Sequence, residues 1–245
     1  MSLADRVLEV AESDERAVLF TVVEGERAGA KLLVLVDSGE SVGDALPWLE
    51  ALAPEVRRTG LVESEGVQVF AEVFGPPPRL VVVGAVDTAA ALCAAAKLIG
   101  WHTICVDARS RFATRERIPS ADELIVEWPD EALAKIQPDH GTAIVVLTHD
   151  EKFDVPALQA ALKTDAFYIG AIGSRKTQSR RRERLLEAGL TDEQLDRIHG
   201  PSGLDLGADS PAETALSILT EALAVRAGRP GTPLKTAAGR IHVEM

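Results

Sequence analysis

Five short apolar runs recur between residues 80 and 169, and four of them lead into a stretch with helical spacing. Residues 80–83 precede a helix-like segment over 88–99. Residues 102–106 end at Asp107. Residues 123–127 precede 130–136, residues 143–147 precede 155–162, and residues 166–169 precede 174–188. Two further helical segments, 192–198 and 211–227, follow. Strands buried on both faces read as continuous apolar runs, and parallel neighbours need crossover helices to join them. This rhythm predicts βαβ units, a parallel sheet and helices on both of its faces.

The rhythm starts behind Gly75-Pro-Pro-Pro-Arg79. Consecutive prolines donate no ladder hydrogen bonds and stiffen the chain, which marks a domain boundary. Before it, Leu3, Val7, Val10 and Ala11 follow Ser2 at helical spacing, with Ser2 as the expected N-cap. Residues 17–23 and 31–36 predict a hairpin, residues 42–53 a helix, and the alternation around Val67, Val69, Ala71 and Val73 a half-buried strand. The expectation is a small α+β domain over 1–75, a parallel-sheet domain over 79–229 and a tail over 230–245.

Hydrophobic residues make up 46% of the 245, which supplies a sizeable core and excludes disorder over most of the chain. The net charge is −12, and residues 1–75 carry −9 of it. Such a balance argues against broad binding to nucleic acid or anionic membranes. No apolar run approaches the roughly 18 residues of a membrane span, and the acidic N-terminus lacks the apolar core of a signal peptide, so a cytoplasmic setting is expected. Cys93 and Cys105 are too few for a disulfide framework or a four-thiolate zinc site, and read as buried small hydrophobes.

Open parallel sheets bind ligands at the carboxyl ends of their strands. The first such turn offers Gly84, but Val86 stands where a dinucleotide fingerprint has its second glycine, and Asp87 puts a negative charge at the helix start. Asp107 lies 23 positions after Gly84, close to the spacing of a ribose-binding carboxylate. It reads equally as a partner of Arg109. His149 follows the fourth strand, where an imidazole can orient a ligand or move a proton; a surface histidine is the alternative. The fifth turn carries Gly170, Gly173, Ser174, Arg175, Lys176 and Thr177. Cations at a helix start suit a bound anion, against the alternative of a solvated basic helix. Beyond it, Gly203, Asp205 and Gly207 form a run that can bend over the sheet edge, and Ser210 with Pro211 opens a helix.

These motifs resemble the XdhC/CoxI family. The stretches are Ala166-Phe-Tyr-Ile-Gly-Ala-Ile-Gly-Ser-Arg-Lys-Thr177, Leu185-Leu-Glu-Ala-Gly-Leu190, Ile198-His-Gly-Pro-Ser-Gly-Leu-Asp-Leu-Gly207 and Ser210-Pro-Ala-Glu-Thr-Ala215, with Val146-Leu-Thr-His-Asp150 and Val106-Asp-Ala-Arg109. The resemblance covers roughly residues 79–229. It implies a Rossmann-like parallel sheet domain preceded by a small α+β domain, and a tendency to dimerise. It also implies an accessory role for molybdenum hydroxylases such as xanthine or CO dehydrogenase: binding the molybdenum cofactor (molybdopterin), supporting its sulfuration and delivering it. Two places depart from the family pattern. The region 37–44 has no cysteine where a Gly-Gly-Cys loop is usual, so no thiolate there can reach molybdenum. Val86 and Asp87 replace a glycine and a histidine.

The reading that follows is a cofactor-binding accessory protein, with no catalytic residues and no metal ligands assigned. Gly84, Asp107, Arg109, His149, Gly170, Gly173, Ser174, Arg175, Lys176 and Asp205 are the expected cofactor-binding residues. The alternatives are an NAD(P)-dependent oxidoreductase or another nucleotide binder, and a docking protein without ligand. The expected partners are a molybdenum hydroxylase subunit and a second copy of the chain.

Overall fold

The computed structural model describes residues 2–237 apart from residues 14, 57 and 149. The chain divides into two units, one running to Pro76 and also taking in the residues after Thr232, the other Pro77–Thr232.

In the first unit, α1 (Leu3–Ala11) starts behind Ser2, whose side chain accepts from the Asp5 N–H while Asp5 reaches back to the Ser2 N–H. This reciprocal cap satisfies two otherwise orphaned donors. Strands β1 (Ala17–Val22) and β2 (Lys31–Leu35) form the expected hairpin, and β5 (Val67–Phe74) lies antiparallel on the other side of β1. The edges are β3 (Ser41–Gly43) and β4 (Gly60–Ser64), giving the order β3-β2-β1-β5-β4. The helix expected over 42–53 is corrected. Val42 lies in β3 and pairs with Leu33 of β2, and α2 spans only Pro47–Leu52. Leu46, directly before proline, has φ −131 and ψ 68, because the proline ring disfavours helical geometry in the residue before it.

In the second unit, β6 (Arg79–Val83), β7 (His102–Val106), β8 (Glu123–Ile125), β9 (Thr142–Val146), β10 (Tyr168–Ala171) and β11 (Ile198–His199) form one parallel sheet in the order β11-β10-β9-β6-β7-β8. Helices α3 (Asp87–Leu98), α4 (Pro129–Ile136), α5 (Glu151–Ala161), α6 (Arg175–Glu187), α7 (Asp192–Leu195) and α8 (Pro211–Arg226) connect and close it. Alternate strand residues face opposite sides. Leu80, Val82 and Cys105 therefore join Leu92 and Cys93 of α3 and Ile218 of α8 in one core. Val81, Val83, Ile104 and Val106 join Leu133 of α4, Leu158 of α5 and Leu185 of α6 in the other. Each such aliphatic side chain contributes about 1.5–3 kcal/mol by leaving water. The fold is α/β, with a Rossmann-like parallel sheet in one unit and a smaller antiparallel sheet in the other. No helix among the described residues is long and apolar enough to cross a membrane.

Candidate functional site

From β6 the chain builds outward to β7 and β8, then returns to β9 on the other side of β6. Ligands bind at such a reversal, beyond the carboxyl ends of the two diverging strands. Gly84 turns the chain there with φ +107, and a Cβ on it would stand 2.7 Å from Thr148 Cγ2 and 3.3 Å from the Thr148 nitrogen. Only glycine lets the β6 turn approach β9 this closely. A cleft of about 590 Å³ opens above them, lined by Val86, Arg109, Leu147, Thr148, Asp150 and Lys152, and shared with Glu151.

Asp107 is 3% exposed beside this cleft. Its Oδ1 accepts from the Arg109 N–H and Nε, both at 2.9 Å; its Oδ2 accepts from the Ala85 N–H at 2.9 Å and from Arg109 Nη2 at 2.8 Å. Of the two sequence readings of this residue, the ion pair with Arg109 is the arrangement present. Burial pushes the Asp107 carboxyl up, but these hydrogen bonds outweigh it and hold the group below its ordinary value. Arg109 in turn lies over the Phe112 ring at 4.4 Å and near the Phe153 ring at 5.3 Å. Phe153 stacks on Trp128.

A second polar chain ties the β9 and β10 turns together. The Thr148 hydroxyl donates to Asp154 Oδ1. Arg181 Nη2 donates to Asp154 Oδ2 at 2.7 Å, and the same guanidinium donates to the Ile172 carbonyl at 3.1 Å. The side chains of Arg181 and Asp154 are 5% and 8% exposed. Sequence reasoning missed Thr148, Asp154 and Arg181. A signal existed for Arg181, since it sits four residues before the buried Leu185 and so on the same helix face.

At the start of α6, Gly173 has φ +129 and its turn is closed by Ser174, whose hydroxyl accepts from the Thr177 N–H at 3.2 Å. The Arg175 and Lys176 amides, first in the helix, have no intrahelical acceptor. Both side chains are exposed. Three arginines further along the run are differently employed: Arg181 holds Asp154, Arg182 holds Asp192 and Asp196, and Arg184 holds Glu151. Arg175, Lys176 and Arg180 have no carboxylate partner among the described residues. Arg180 and Thr177 line a pocket of about 220 Å³ between α5 and α6, which adjoins the first cleft at Glu151.

The other expected residues lie elsewhere. Gly170 sits inside β10 rather than in the turn, and a Cβ there would stand 2.7 Å from the Tyr168 ring. Its role in the structure is to seat that ring. The Tyr168 hydroxyl donates to Glu221, which also accepts from the Gly203 N–H at 2.7 Å and faces His199 Nδ1 at 3.4 Å. Burial foremost, then Glu221, pushes the Tyr168 phenol far up, so it stays a donor. Asp205 is exposed and does not line the cleft; its loop is pinned where the Ser217 hydroxyl donates to the Leu204 carbonyl at 2.5 Å. His149 lies outside the described residues. Cys93 and Cys105 are fully buried, and burial foremost pushes the Cys93 thiol up to about 12.

The depressed Asp107 fixes a pH dependence. A carboxyl whose folded pKa lies below its unfolded value of 3.8 contributes stability above that value and loses it as pH falls toward the folded pKa. Thermal midpoints should therefore fall from pH 5 to about pH 2, and Asp107→Asn should flatten that slope. Equal slopes for the two proteins would remove Asp107 as a contributor.

The profile of the XdhC Rossmann domain matches residues 80–222. Over 184 residues the chain is 28% identical to a probable xanthine dehydrogenase subunit of Bacillus subtilis (strain 168), covering 73% of this chain and 54% of that one. Over 99 residues it is 38% identical to the molybdenum cofactor insertion chaperone PaoD of Escherichia coli (strain K12), covering 40% of this chain and 30% of that one. The chain thus spans about half or less of the length of these curated relatives. A crystal structure described as a xanthine dehydrogenase from Bacillus halodurans shares the fold, with TM-score 0.67 and 24% identity over 91% of this chain and 66% of that one.

Proposed function

Because the chain belongs to the XdhC family, whose Rossmann domain it carries over residues 80–222, we propose that it is an accessory protein for the maturation of a molybdenum hydroxylase. It binds the molybdenum cofactor by its phosphate and hands it to the apoenzyme, in the cytoplasm and as a homodimer. The names of its relatives support the maturation role. The observation that carries the binding reading is the split of charge along α6. Arg181, Arg182 and Arg184 are engaged with carboxylates, while Arg175, Lys176 and Arg180 stand without one, among the described residues, near the helix start. Free cations and unsatisfied amides at one helix terminus fit a phosphate.

The residues present fit a phosphate-bearing pterin. They do not supply a thiolate grip, since both cysteines are buried. When bound, the cofactor brings chemistry that its client enzyme uses. This chain's part is to hold and orient: Arg175, Lys176 and the Gly173–Ser174 turn on the phosphate, and the cleft beside Thr148 and Arg109 on the ring.

Mass spectrometry of small molecules released from the purified native protein tests this. Wild type should release molybdopterin, and the Arg175→Ala/Lys176→Ala double variant should bind added molybdopterin at least about tenfold more weakly, as the loss of two charge-assisted contacts implies. Failure of wild type to carry or bind molybdopterin at micromolar concentration would exclude the reading.

A further inference from the structure

We infer that the Asp107–Arg109 pair reverses the hydrogen-bond polarity at the β7 edge of the cleft, so that this position refuses the ribose of an adenine dinucleotide and takes a ligand group that presents acceptor atoms. This rests on the cleft being the ligand site of the proposed function, and deepens it.

In a dinucleotide fold, a carboxylate at this position accepts hydrogen bonds from the ribose hydroxyls. An ionised carboxylate has about four acceptor positions. Four donors already occupy Asp107: the Ala85 and Arg109 amides, and Nε and Nη2 of Arg109. A ribose diol would have to displace a bidentate guanidinium from a carboxylate that is 3% exposed. The guanidinium is itself held, within 4.4 Å of the Phe112 ring centre and 5.3 Å of the Phe153 ring centre. It lines the cleft with its remaining N–H donors uncommitted to Asp107.

The first turn acts in the same sense. Val86 caps α3 without a side-chain hydrogen bond, and it lines the cleft at the position where a dinucleotide fold needs a bare backbone. Asp87 follows in the first helical turn, its side chain 86% exposed and its Oδ1 3.6 Å from Arg117 Nη2. The terminus thus already carries a carboxylate, itself paired with a cation, where a pyrophosphate would sit. Both positions that a dinucleotide uses, the diol acceptor and the phosphate cradle, are thereby altered. A carbonyl oxygen, a ring nitrogen or a phosphate oxygen finds donors in Arg109 instead.

The test is a fluorescence titration of the full chain with NADH at pH 8. Wild type should show no binding up to about 1 mM, the weak end of specific affinities. Arg109→Ala removes both side-chain donors from Asp107 and frees one acceptor position on each oxygen, so NADH affinity should rise at least about tenfold. Arg109→Lys, which keeps the charge but cannot fill both oxygens, should gain less. Asp107→Ala added to Arg109→Ala should abolish the gain. Binding of NADH by wild type below about 1 mM overturns the inference. So does an unchanged affinity in an Arg109→Ala protein that circular dichroism shows to be folded. If neither variant folds, the wild-type titration decides alone. Molybdopterin binding is measured separately, so a failure here leaves the phosphate contacts of α6 standing, and a failure there leaves this result readable.

Discussion

Replacing Asp154 with alanine should lower the thermal midpoint by roughly 6–20 °C. Removing one member of a buried ion pair costs about 3–5 kcal/mol, because the remaining charge stays desolvated and unpaired. In a chain of this size each kcal/mol moves the midpoint by about 2–4 °C. Asp154 is the centre of its chain of contacts: it accepts from Thr148 at the end of β9 and from Arg181 of α6. Its loss also frees the guanidinium that fixes the Ile172 carbonyl at the end of β10. Replacing both members with apolar residues, as in Asp154→Leu/Arg181→Met, should recover most of the loss, since no charge is then left buried. Differential scanning calorimetry reads both. A shift under about 2 °C for Asp154→Ala would mean that water reaches the pair.

The second large effect is expected at Gly84. A methyl group there meets Thr148 Cγ2 at 2.7 Å, in a backbone conformation with φ +107 that other residues rarely adopt. Overpacking and backbone strain together should cost Gly84→Ala roughly 2–5 kcal/mol. Two comparisons separate the causes. Gly100 has φ +77 with nothing within 4 Å of its added Cβ, so Gly100→Ala reports strain alone. Thr148→Ser removes Cγ2 while keeping the hydroxyl that donates to Asp154, so it should restore part of the loss in the Gly84→Ala background. Chemical denaturation measures all three. Equal costs at Gly84 and Gly100 would show that β9 gives way.

Much of the fold was legible because its signals are local. Residues 102–106 read as a strand from their apolar run alone, and they are β7. The miss at 42–53 has a local cause too: Val42 fits either period, and only the residue before Pro47 shows that the helix cannot start earlier. Strand β11 has two residues, too few to carry a period, and it exists because β10 offers Ile169 and Gly170 as partners. The site was legible where a turn is continuous in sequence, as from Gly173 to Lys176. It was not legible where contacts join distant residues. Nothing local links Asp154 to Arg181, 27 positions on, or Tyr168 to Glu221, 53 positions on. Gly170 was read as a free turn, yet strand alternation already places it on the same face as Tyr168. The ring folding down onto it is the part that only three dimensions supply.

The burial of both thiols sets who can supply sulfur. A sulfur relay runs through a nucleophilic thiolate that becomes a persulfide. Cys93 is wholly enclosed, and burial pushes its thiol up to about 12, so the thiolate is disfavoured at neutral pH. Cys105 is enclosed beside it and shifted in the same direction. Neither cysteine of this sequence is placed to take part in such a relay. Under the proposed function, sulfur destined for the cofactor would have to come from a separate donor.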